Sequence, residues 1–294
     1  MKTYIINLEY SARRRSNILR EAERHGLDHE IVTAVDGRKF SSEDLELLPL
    51  ADSLRNNDYY SPTIIAAALS HAKVYERMLE SDVDVALVLE DDAVPGEDFG
   101  GILAGIRSTI NQGEIVVCHY MCFGPLRLSR LGSRRVAPGY DLYYPVNLSD
   151  VTSGAAYVIT RAAAASLLAT VFPIRAEADA WELFQKEGGF ETIRFVYPMP
   201  VTVRGDKSTI AAESQTGLRK WLTSAVDAYR VPPFYQMLRI ARLKSISLRS
   251  RVELVADNPI GFAGNRTYEE REYQEDRETG GAEARNLSAD AIRE

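Results

Sequence analysis

Short apolar segments alternate with helix-forming segments along residues 4–170, and this alternation constrains the fold of the chain more than any other feature. Strand character is found at 4–8, 30–34, 83–89, 114–120 and 154–160. Helical periodicity and helix-terminating residues lie between them, at 12–25, 62–79, 100–111 and 161–170. The pattern predicts an α/β fold, with a mostly parallel sheet and helices on both of its faces.

The composition is that of an ordinary globular protein. Of the 294 residues, 45% are hydrophobic and 26% are charged, which excludes collagen, a coiled coil and wholesale disorder. No segment approaches the ~18 consecutive apolar residues that a membrane span needs. Cys118 and Cys122 are the only cysteines, so neither a disulfide framework nor a zinc site is expected. The N-terminal apolar run is too short for a signal peptide, and we expect a cytoplasmic, reduced protein.

The charge is unevenly distributed, with a net value of −7 for the whole chain. Residues 217–251 carry +7 and residues 253–294 carry −6, which leaves −8 for residues 1–216. An acidic body argues against nucleic-acid binding. We expect a folded α/β domain at 1–216, a basic helical segment at 217–266 and a disordered acidic tail at 267–294.

Two interpretations of the basic segment remain open. Apolar residues recur at helical spacing between the lysines and arginines of 217–251. The segment is therefore either an amphipathic helix pair on an anionic membrane surface or an ordinary helical extension packed on the body. The first interpretation places the protein peripherally on the inner face of the plasma membrane.

Three consecutive acids, Glu90, Asp91 and Asp92, follow the most apolar predicted strand. Ligands of open α/β sheets bind beyond the carboxyl ends of the strands. In an extended segment, the side chains of Glu90 and Asp92 point the same way, and a pair of carboxylates suits Mn²⁺ or Mg²⁺. The alternative is a solvated turn with an N-cap for the next helix.

Several segments, in order along residues 5–210, resemble motifs of glycosyltransferase family 25. This family includes lipopolysaccharide and lipooligosaccharide galactosyltransferases and collagen-modifying relatives. The resembling segments are Ile5–Leu8 followed by Arg13–Arg15, then Thr33–Gly37, Ala67–Tyr75, Leu87–Asp92, Gly154–Ile159 and Pro173–Asp179. In the last of these the chain has extra residues, so the family's acid aligns with either Glu177 or Asp179.

The resemblance implies a GT-A-like, Rossmann-type mixed sheet flanked by helices. It does not extend beyond about residue 217, where the helical spacing of apolar residues predicts a helical C-terminal extension. It also implies inverting, metal-dependent transfer of a hexose such as galactose from a UDP-sugar to a hydroxyl of a lipid-linked or cell-surface oligosaccharide. Inversion needs a carboxylate that accepts the proton of the acceptor hydroxyl. Asp179 is the first candidate for this base, followed by Glu177 and Asp150. The alternative for Asp179 is a capping role at the helix that begins near Trp181.

The remaining candidates belong to the donor and acceptor sites. Donor-binding candidates are Asn7, Arg13, Arg15, Asp36, Gly37, Ser70, His71, Asp91, Lys207 and Ser208. Arginines bind phosphate oxygens bidentately, and the aspartate before a glycine suits a ribose hydroxyl. The structural alternatives are a solvated helix face for the arginines, simple turns for Asp36 and for Lys207 with Ser208, and a buried structural role for His71.

Tyr157 and Trp181 are candidates for stacking on an acceptor sugar, with core packing as the alternative. A second function is also considered, a catalytically inactive sugar-nucleotide or glycan-binding protein of the same fold. A metal-dependent phosphohydrolase is disfavoured, because Asn7-Leu8-Glu9 stands where that mechanism needs a nucleophilic aspartate.

Overall fold

A nine-stranded mixed sheet forms the centre of the computed structural model, which describes residues 1–55, 61–204 and 251–260. The strands are β1 Lys2–Asn7, β2 His29–Thr33, β3 Val85–Glu90, β4 Ala93–Pro95, β5 Glu114–Val117, β6 Met121–Cys122, β7 Leu126–Ala137, β8 Tyr140–Pro145, β9 Val151–Thr152, β10 Ala156–Thr160, β11 Thr192–Tyr197, β12 Val201–Val203 and β13 Val252–Val255. The helices are α1 Ala12–Arg24, α2 Ser42–Leu47, α3 Asp52–Arg55, α4 Pro62–Glu80, α5 Phe99–Thr109, α6 Arg161–Val171 and α7 Trp181–Lys186.

The strand order in the large sheet is β13-β7-β8-β11-β5-β10-β3-β1-β2. Strand β1 pairs in parallel with β2 and β3, β5 with β11, and β7 with β13. Strand β10 is antiparallel to both β3 and β5, and β8 is antiparallel to both β7 and β11. The α/β class with a mixed sheet flanked by helices is confirmed. The expectation of a mostly parallel sheet is wrong, because it overlooked the β7–β8 hairpin and the reversed direction of β10.

The antiparallel placement of β10 determines the position of the site. Because β10 runs against β3, the start of β10 lies beside the carboxyl end of β3, with Ala156 opposite Leu89. The Glu90 backbone N–H donates to the Ala155 carbonyl at 2.9 Å. Residues just before β10 therefore meet the acids that follow β3, although some sixty positions of sequence separate them.

The core explains why the central strands are apolar throughout. The four apolar residues that end in Leu89 on β3 are fully buried, as are Val116 on β5 and Val158 on β10. A strand with helices on both sheet faces has no solvent side, so it shows a continuous apolar run instead of alternation. Helix α1 packs through Ile18 and Ala22 and is followed by Gly26 at φ +60°, a conformation that glycine adopts readily at the end of a helix.

The C-terminal predictions are tested only in part. Val252–Val255 lies inside the segment expected to be helical, but it is strand β13, parallel to β7. The helical expectation is wrong there, and the described residues 251–259 belong to the same compact unit as the sheet. The rest of the basic segment (217–250), Lys207, Ser208 and the tail 267–294 lie outside the described residues.

Cys118 and Cys122 are both buried and unpaired by a disulfide, as expected. Within the described parts of the chain, every helix is too short or too polar to cross a bilayer.

A buried ion pair gives the first prediction. The guanidinium of Arg194 on β11 donates through Nε and Nη2 to the Glu114 carboxylate on β5, and the Nη2 distance is 2.8 Å. Both side chains are almost fully buried. We expect Arg194→Met to lower the free energy of unfolding by about 3–5 kcal/mol, because it leaves a buried carboxylate without its cation. Urea unfolding measures the change.

The matched control is Arg135→Gln, which breaks the exposed pair of Arg135 with Asp141. Water screens this pair, so its loss should hardly change the unfolding midpoint. Equal effects of the two substitutions would contradict the importance assigned to burial.

Candidate active site

The three acids after β3 lie in two different structural settings. Glu90 is the last residue of β3, whereas Asp91 and Asp92 form the turn that leads to β4. Asp91 is buried and held on both carboxylate oxygens, by Asn7 Nδ2 at 2.7 Å and by Arg14 Nη1 at 3.1 Å. The same Arg14 nitrogen lies 3.8 Å from Asp92 Oδ2. Asp91 is thus anchored, and the remaining negative charge of the cluster belongs to Glu90 and Asp92.

Burial and mutual repulsion control the ionisation of these acids. Burial, followed by the charge of Glu90, raises the pKa of Asp92 to about 7. Burial also raises the pKa of Asp91, although the Asn7 and Arg14 contacts oppose the shift. For Glu90, burial is outweighed by the His71 hydrogen bond and nearby basic groups, which hold the pKa below its ordinary value. Asp92 is therefore the acid that most lacks a compensating positive charge.

The cluster has the chemistry of a site for a hard divalent cation. Within residues 1–55, 61–204 and 251–260, neither Asp92 Oδ1 nor Asn7 Oδ1 has a hydrogen-bond partner, although both atoms are buried. No group of three or more His, Cys, Asp or Glu side chains in those ranges has the arrangement of a metal site. Mg²⁺ is commonly held by one or two carboxylates together with substrate phosphates. Glu90 and Asp92 fit that kind of site and do not form a complete protein cage.

A buried hydrogen-bond chain orients Glu90. His71 of α4 lies between Glu90 and Tyr157, with Nε2 3.4 Å from Glu90 Oε1 and Nδ1 2.8 Å from the Tyr157 hydroxyl. The Tyr75 hydroxyl continues the chain at 3.0 Å from that of Tyr157. A carboxylate only accepts, so Nε2–H donates to Glu90. His71 is buried, and its position supports the structural alternative over direct contact with a substrate.

Gly154 makes the close approach of His71 and Glu90 possible. A Cβ at this position would lie 3.0 Å from His71 Cε1 and 3.5 Å from Glu90 Oε1. Any side chain larger than hydrogen would displace the imidazole that orients Glu90.

Asp179 accepts two hydrogen bonds from the segment before β10. Its Oδ2 receives the Thr152 hydroxyl at 2.6 Å and the Ser153 backbone N–H at 2.5 Å. Ser153 has φ +112°, a strained conformation for a residue with a side chain, and its Oγ lies 2.6 Å from Nδ1 of the buried His119. Backbone strain of this kind concentrates at functional sites. Burial lowers the pKa of His119, which favours the neutral imidazole at Ser153.

The other two base candidates lie in different settings from that of Asp179. Glu177 is half-buried, and its carbonyl accepts the Ala180 N–H at 3.3 Å. Asp150 is half-buried beside Gly124, where a Cβ would lie 3.1 Å from Asp150 Oδ2. The Trp181 N–H donates to the Asp179 carbonyl, so Asp179 also borders α7 through its backbone.

The prediction that Tyr157 and Trp181 stack on an acceptor sugar is wrong. Both side chains are at most 1% exposed, and their rings pack against each other edge to face at 5.5 Å. Neither ring has a face open to a ligand, because both lie between the sheet and its helices. They are core residues, which was the structural alternative.

A cavity of about 120 Å³ lies beside the acids. It is lined by the end of β1, the 3₁₀ turn Gly37–Lys39 and the first half of α4. Six predicted site residues meet there, namely Asp36, Gly37, Ser70, His71, Glu90 and Asp91. A larger cavity of about 450 Å³, near Arg24, His25 and Asp98, contains none of the predicted residues, so the smaller one is the candidate donor site.

Two of the predicted donor ligands are already engaged within the protein. Both carboxylate oxygens of Asp36 accept from Arg38, whose guanidinium lowers the pKa of Asp36. Ser70 Oγ donates to the Ala66 carbonyl and accepts from the Val35 N–H. Gly37 is required by packing, since a Cβ there would lie 2.3 Å from the Pro62 carbonyl oxygen. These three residues shape the cavity wall.

Arg14, not Arg13 or Arg15, is the arginine that reaches the acids. Arg13 and Arg15 are exposed on α1, whereas Arg14 lines the cavity. The sequence contained the signal, because Arg14 lies four residues before the buried Ile18 and therefore on the same helix face. The sequence analysis also missed Tyr10, whose ring lies 3.8 Å from the guanidinium of Arg38 at the cavity edge.

Comparison with known proteins agrees with the motif resemblance. The family model described as "Glycosyltransferase family 25 (LPS biosynthesis protein)" matches residues 1–181. Human procollagen galactosyltransferase 2 is 27% identical over 117 residues, which cover 38% of this chain and 19% of that protein. A glycosyltransferase 25 family member of Anopheles gambiae is 36% identical over 176 residues, covering 56% of this chain and 28% of the relative.

A further relative, a glycosyltransferase 25 family member of Aedes aegypti, is 34% identical over 94 residues, which are 30% of this chain and 16% of that protein. The chain thus spans less than a third of the length of these relatives. Among solved structures, the mannose-1-phosphate geranyltransferase from Thermus thermophilus superposes with a TM-score of 0.31 at 14% identity, over 68% of this chain and 75% of that one. That score is too low to bear on fold or function. Since the family model matches more than half of the residues, this chain belongs to glycosyltransferase family 25.

Proposed function

We propose that the protein is an inverting, metal-dependent glycosyltransferase that moves a hexose from a UDP-sugar to a hydroxyl of an oligosaccharide. The observation that carries the proposal is the acid cluster at the end of β3, in which Glu90 and Asp91 line a cavity while burial and repulsion raise the pKa of Asp92 to about 7. Family membership supports the reaction class. A cluster of this kind is costly to fold, and a bound cation with a diphosphate offsets that cost.

The donor is assigned to the cavity between β1 and α4. Tyr10 offers an exposed ring for a base, and Arg14 offers a guanidinium beside the diphosphate position. Asp91 holds Arg14 in place and is itself held by Asn7. Lys207 and Ser208 remain candidates for closing over the diphosphate.

Glu90 and Asp92 would hold Mn²⁺ or Mg²⁺. When bound, the cation neutralises the charge that develops on the departing diphosphate. The protein's own part is to present both carboxylates ionised and oriented. His71 orients Glu90, and Arg14 lies close enough to favour the charged form of Asp92.

Asp179 is proposed as the base that accepts the proton of the acceptor hydroxyl. Its two hydrogen-bond donors, Thr152 and Ser153, fix the carboxylate through Oδ2, and Oδ1 would accept the proton of the acceptor hydroxyl. Burial, followed by the Tyr75 hydroxyl and the charges of Glu90 and Asp179, raises the pKa of the Tyr157 hydroxyl, so both carboxylates lie within electrostatic range of this side chain. In the proposed arrangement, the base and the cation lie on either side of the transferred sugar.

The substrates are inferred from the relatives. The names of the family and of the human relative refer to lipopolysaccharide biosynthesis and galactosyl transfer. We propose galactose as the transferred hexose and a lipid-linked or cell-surface oligosaccharide as the acceptor. The basic segment 217–251 would then bring the enzyme to an anionic membrane surface on the cytoplasmic side.

Removal of metal should abolish turnover. We expect hydrolysis of UDP-galactose to require Mn²⁺ or Mg²⁺ and to stop with EDTA. The amount of UDP released measures the rate. Asp92→Ala should lower this rate by about a hundredfold or more, because the leaving diphosphate loses its cation. Asp84→Ala, on the segment before β3, is the matched carboxylate control. Turnover that persists in EDTA, or an unchanged Asp92→Ala enzyme, would contradict the metal assignment.

Metal affinity should depend on pH through Asp92. Its raised pKa of about 7 means that below this value the cation must displace a proton, whereas above it the carboxylate is already charged. We therefore expect the Mn²⁺ affinity to fall roughly tenfold for each pH unit below about 7 and to level off above it. Glu90, with its lowered pKa, stays ionised in this window. Titration followed by electron paramagnetic resonance tests this, and a pH-independent affinity would refute it.

The base assignment predicts a difference between three isosteric substitutions. Asp179→Asn should lower kcat of sugar transfer by about a hundredfold to ten-thousandfold while leaving UDP affinity unchanged. Glu177→Gln is the matched control and should retain kcat within about tenfold, and Asp150→Asn, at the third candidate, should lower kcat less than Asp179→Asn does. If Glu177→Gln has the larger effect, the base is Glu177. If the wild-type protein binds UDP and glycan but transfers nothing, it is a catalytically inactive binding protein.

A further inference from the structure

The short ribbon formed by β6 and β9 exposes an apolar surface that the donor site does not use. Strand β6 alternates, with Met121 41% exposed, Cys122 buried and the following Phe123 69% exposed. Met121 and Phe123 therefore project from the same face of the ribbon. Covering the exposed ring of Phe123 with a ligand would remove apolar surface from water, which is favourable.

The ribbon is continuous with the proposed catalytic base. Met121 lies directly opposite Thr152 in the antiparallel pairing, and directly opposed residues share a face. The Thr152 hydroxyl donates to Asp179 Oδ2 at 2.6 Å. The face that carries Met121 and Phe123 thus leads to the carboxylate that would receive the acceptor proton.

A second carboxylate borders the same ribbon. The Phe123 backbone N–H donates to the Asp150 carbonyl at 2.8 Å, which extends the pairing by one position beyond Cys122 and Val151. The Asp150 carboxylate lies against Gly124, where a Cβ would be only 3.1 Å from Oδ2. Gly124 thus leaves this carboxylate the room that a side chain would occupy.

We propose that Phe123, Met121 and Asp150 form the acceptor subsite and bind a pyranose ring of the acceptor glycan. A pyranose has one apolar face of C–H groups and an edge of hydroxyls. The ring of Phe123 suits the apolar face, with Met121 extending the contact, and the Asp150 carboxylate accepts from the hydroxyl edge. This proposal rests on the proposed function and replaces the buried Tyr157 and Trp181 as the acceptor-contacting residues.

The test is glycoside binding to the full chain, measured by saturation-transfer NMR. The probes are methyl β-D-galactopyranoside, methyl β-D-glucopyranoside and methyl α-D-mannopyranoside, with UDP and diamagnetic Mg²⁺ present. We expect the wild-type protein to bind at least one of them and Phe123→Ala to weaken binding about tenfold, equivalent to about 1.4 kcal/mol. Phe123→Tyr should restore binding, because it keeps the ring. Leu47→Ala, which removes an 80% exposed side chain on α2, is the matched control and should change nothing.

Separate readouts distinguish the failure of this proposal from that of the proposed function. UDP affinity, measured by calorimetry, should be the same in the wild-type protein and in Phe123→Ala. If the wild-type protein binds UDP but none of the three glycosides, or if Phe123→Ala binds them equally well, the acceptor subsite is refuted. If Phe123→Ala instead loses binding to phosphatidylglycerol vesicles while glycoside binding is unchanged, the surface is a membrane contact and the subsite is again refuted. If UDP fails to bind, the proposed function fails, whatever the glycosides do.

Discussion

The crowding of negative charge at the end of a fully buried strand is the constraint on which the site depends. Three carboxylates follow Leu89, and the protein compensates them unequally. Asp91 accepts hydrogen bonds from Asn7 and Arg14, and Glu90 accepts one from His71. Burial and repulsion, in contrast, raise the pKa of Asp92 to about 7. Two acids are thus positioned by the fold, and the third is the one whose charge a ligand must stabilise.

The reversed direction of β10 connects this cluster to the proposed base. Because β10 is antiparallel to β3, the segment of Thr152, Ser153 and Gly154 lies at the acid end of the sheet. One side of that segment supports Asp179 through two hydrogen bonds, and the other leaves room for His71 at Gly154. The segment runs directly into the buried strand β10, so pairing of β10 with β3 fixes its position beside the acids.

Local periodicity predicted the helices and strands whose own sequences show regular apolar spacing and clear ends. Helices α1 and α4 and strands β1, β3 and β10 were predicted within a few residues, because apolar spacing and helix ends are local. The β7–β8 hairpin was missed, since β7 has a run of exposed polar residues where it leaves the core. The burial of Tyr157 and Trp181 was also missed, because an aromatic residue in sequence looks the same in a core and in a binding site. Helical spacing alone could have predicted that Arg14 lies on the buried face of α1. The contact of Ser153 with Asp179 joins distant segments and has no signal in the sequence.

Binding of UDP to the wild-type protein and to Glu90→Gln, each with Mn²⁺ and with EDTA, tests the central claim most directly. Calorimetry reads the affinity without any knowledge of the acceptor. The account predicts that Mn²⁺ strengthens UDP binding to the wild-type protein and that Glu90→Gln loses most of this gain while remaining folded. Equal UDP affinity in Mn²⁺ and EDTA, or a full gain in Glu90→Gln, would show that the acids after β3 do not hold a cation against the diphosphate.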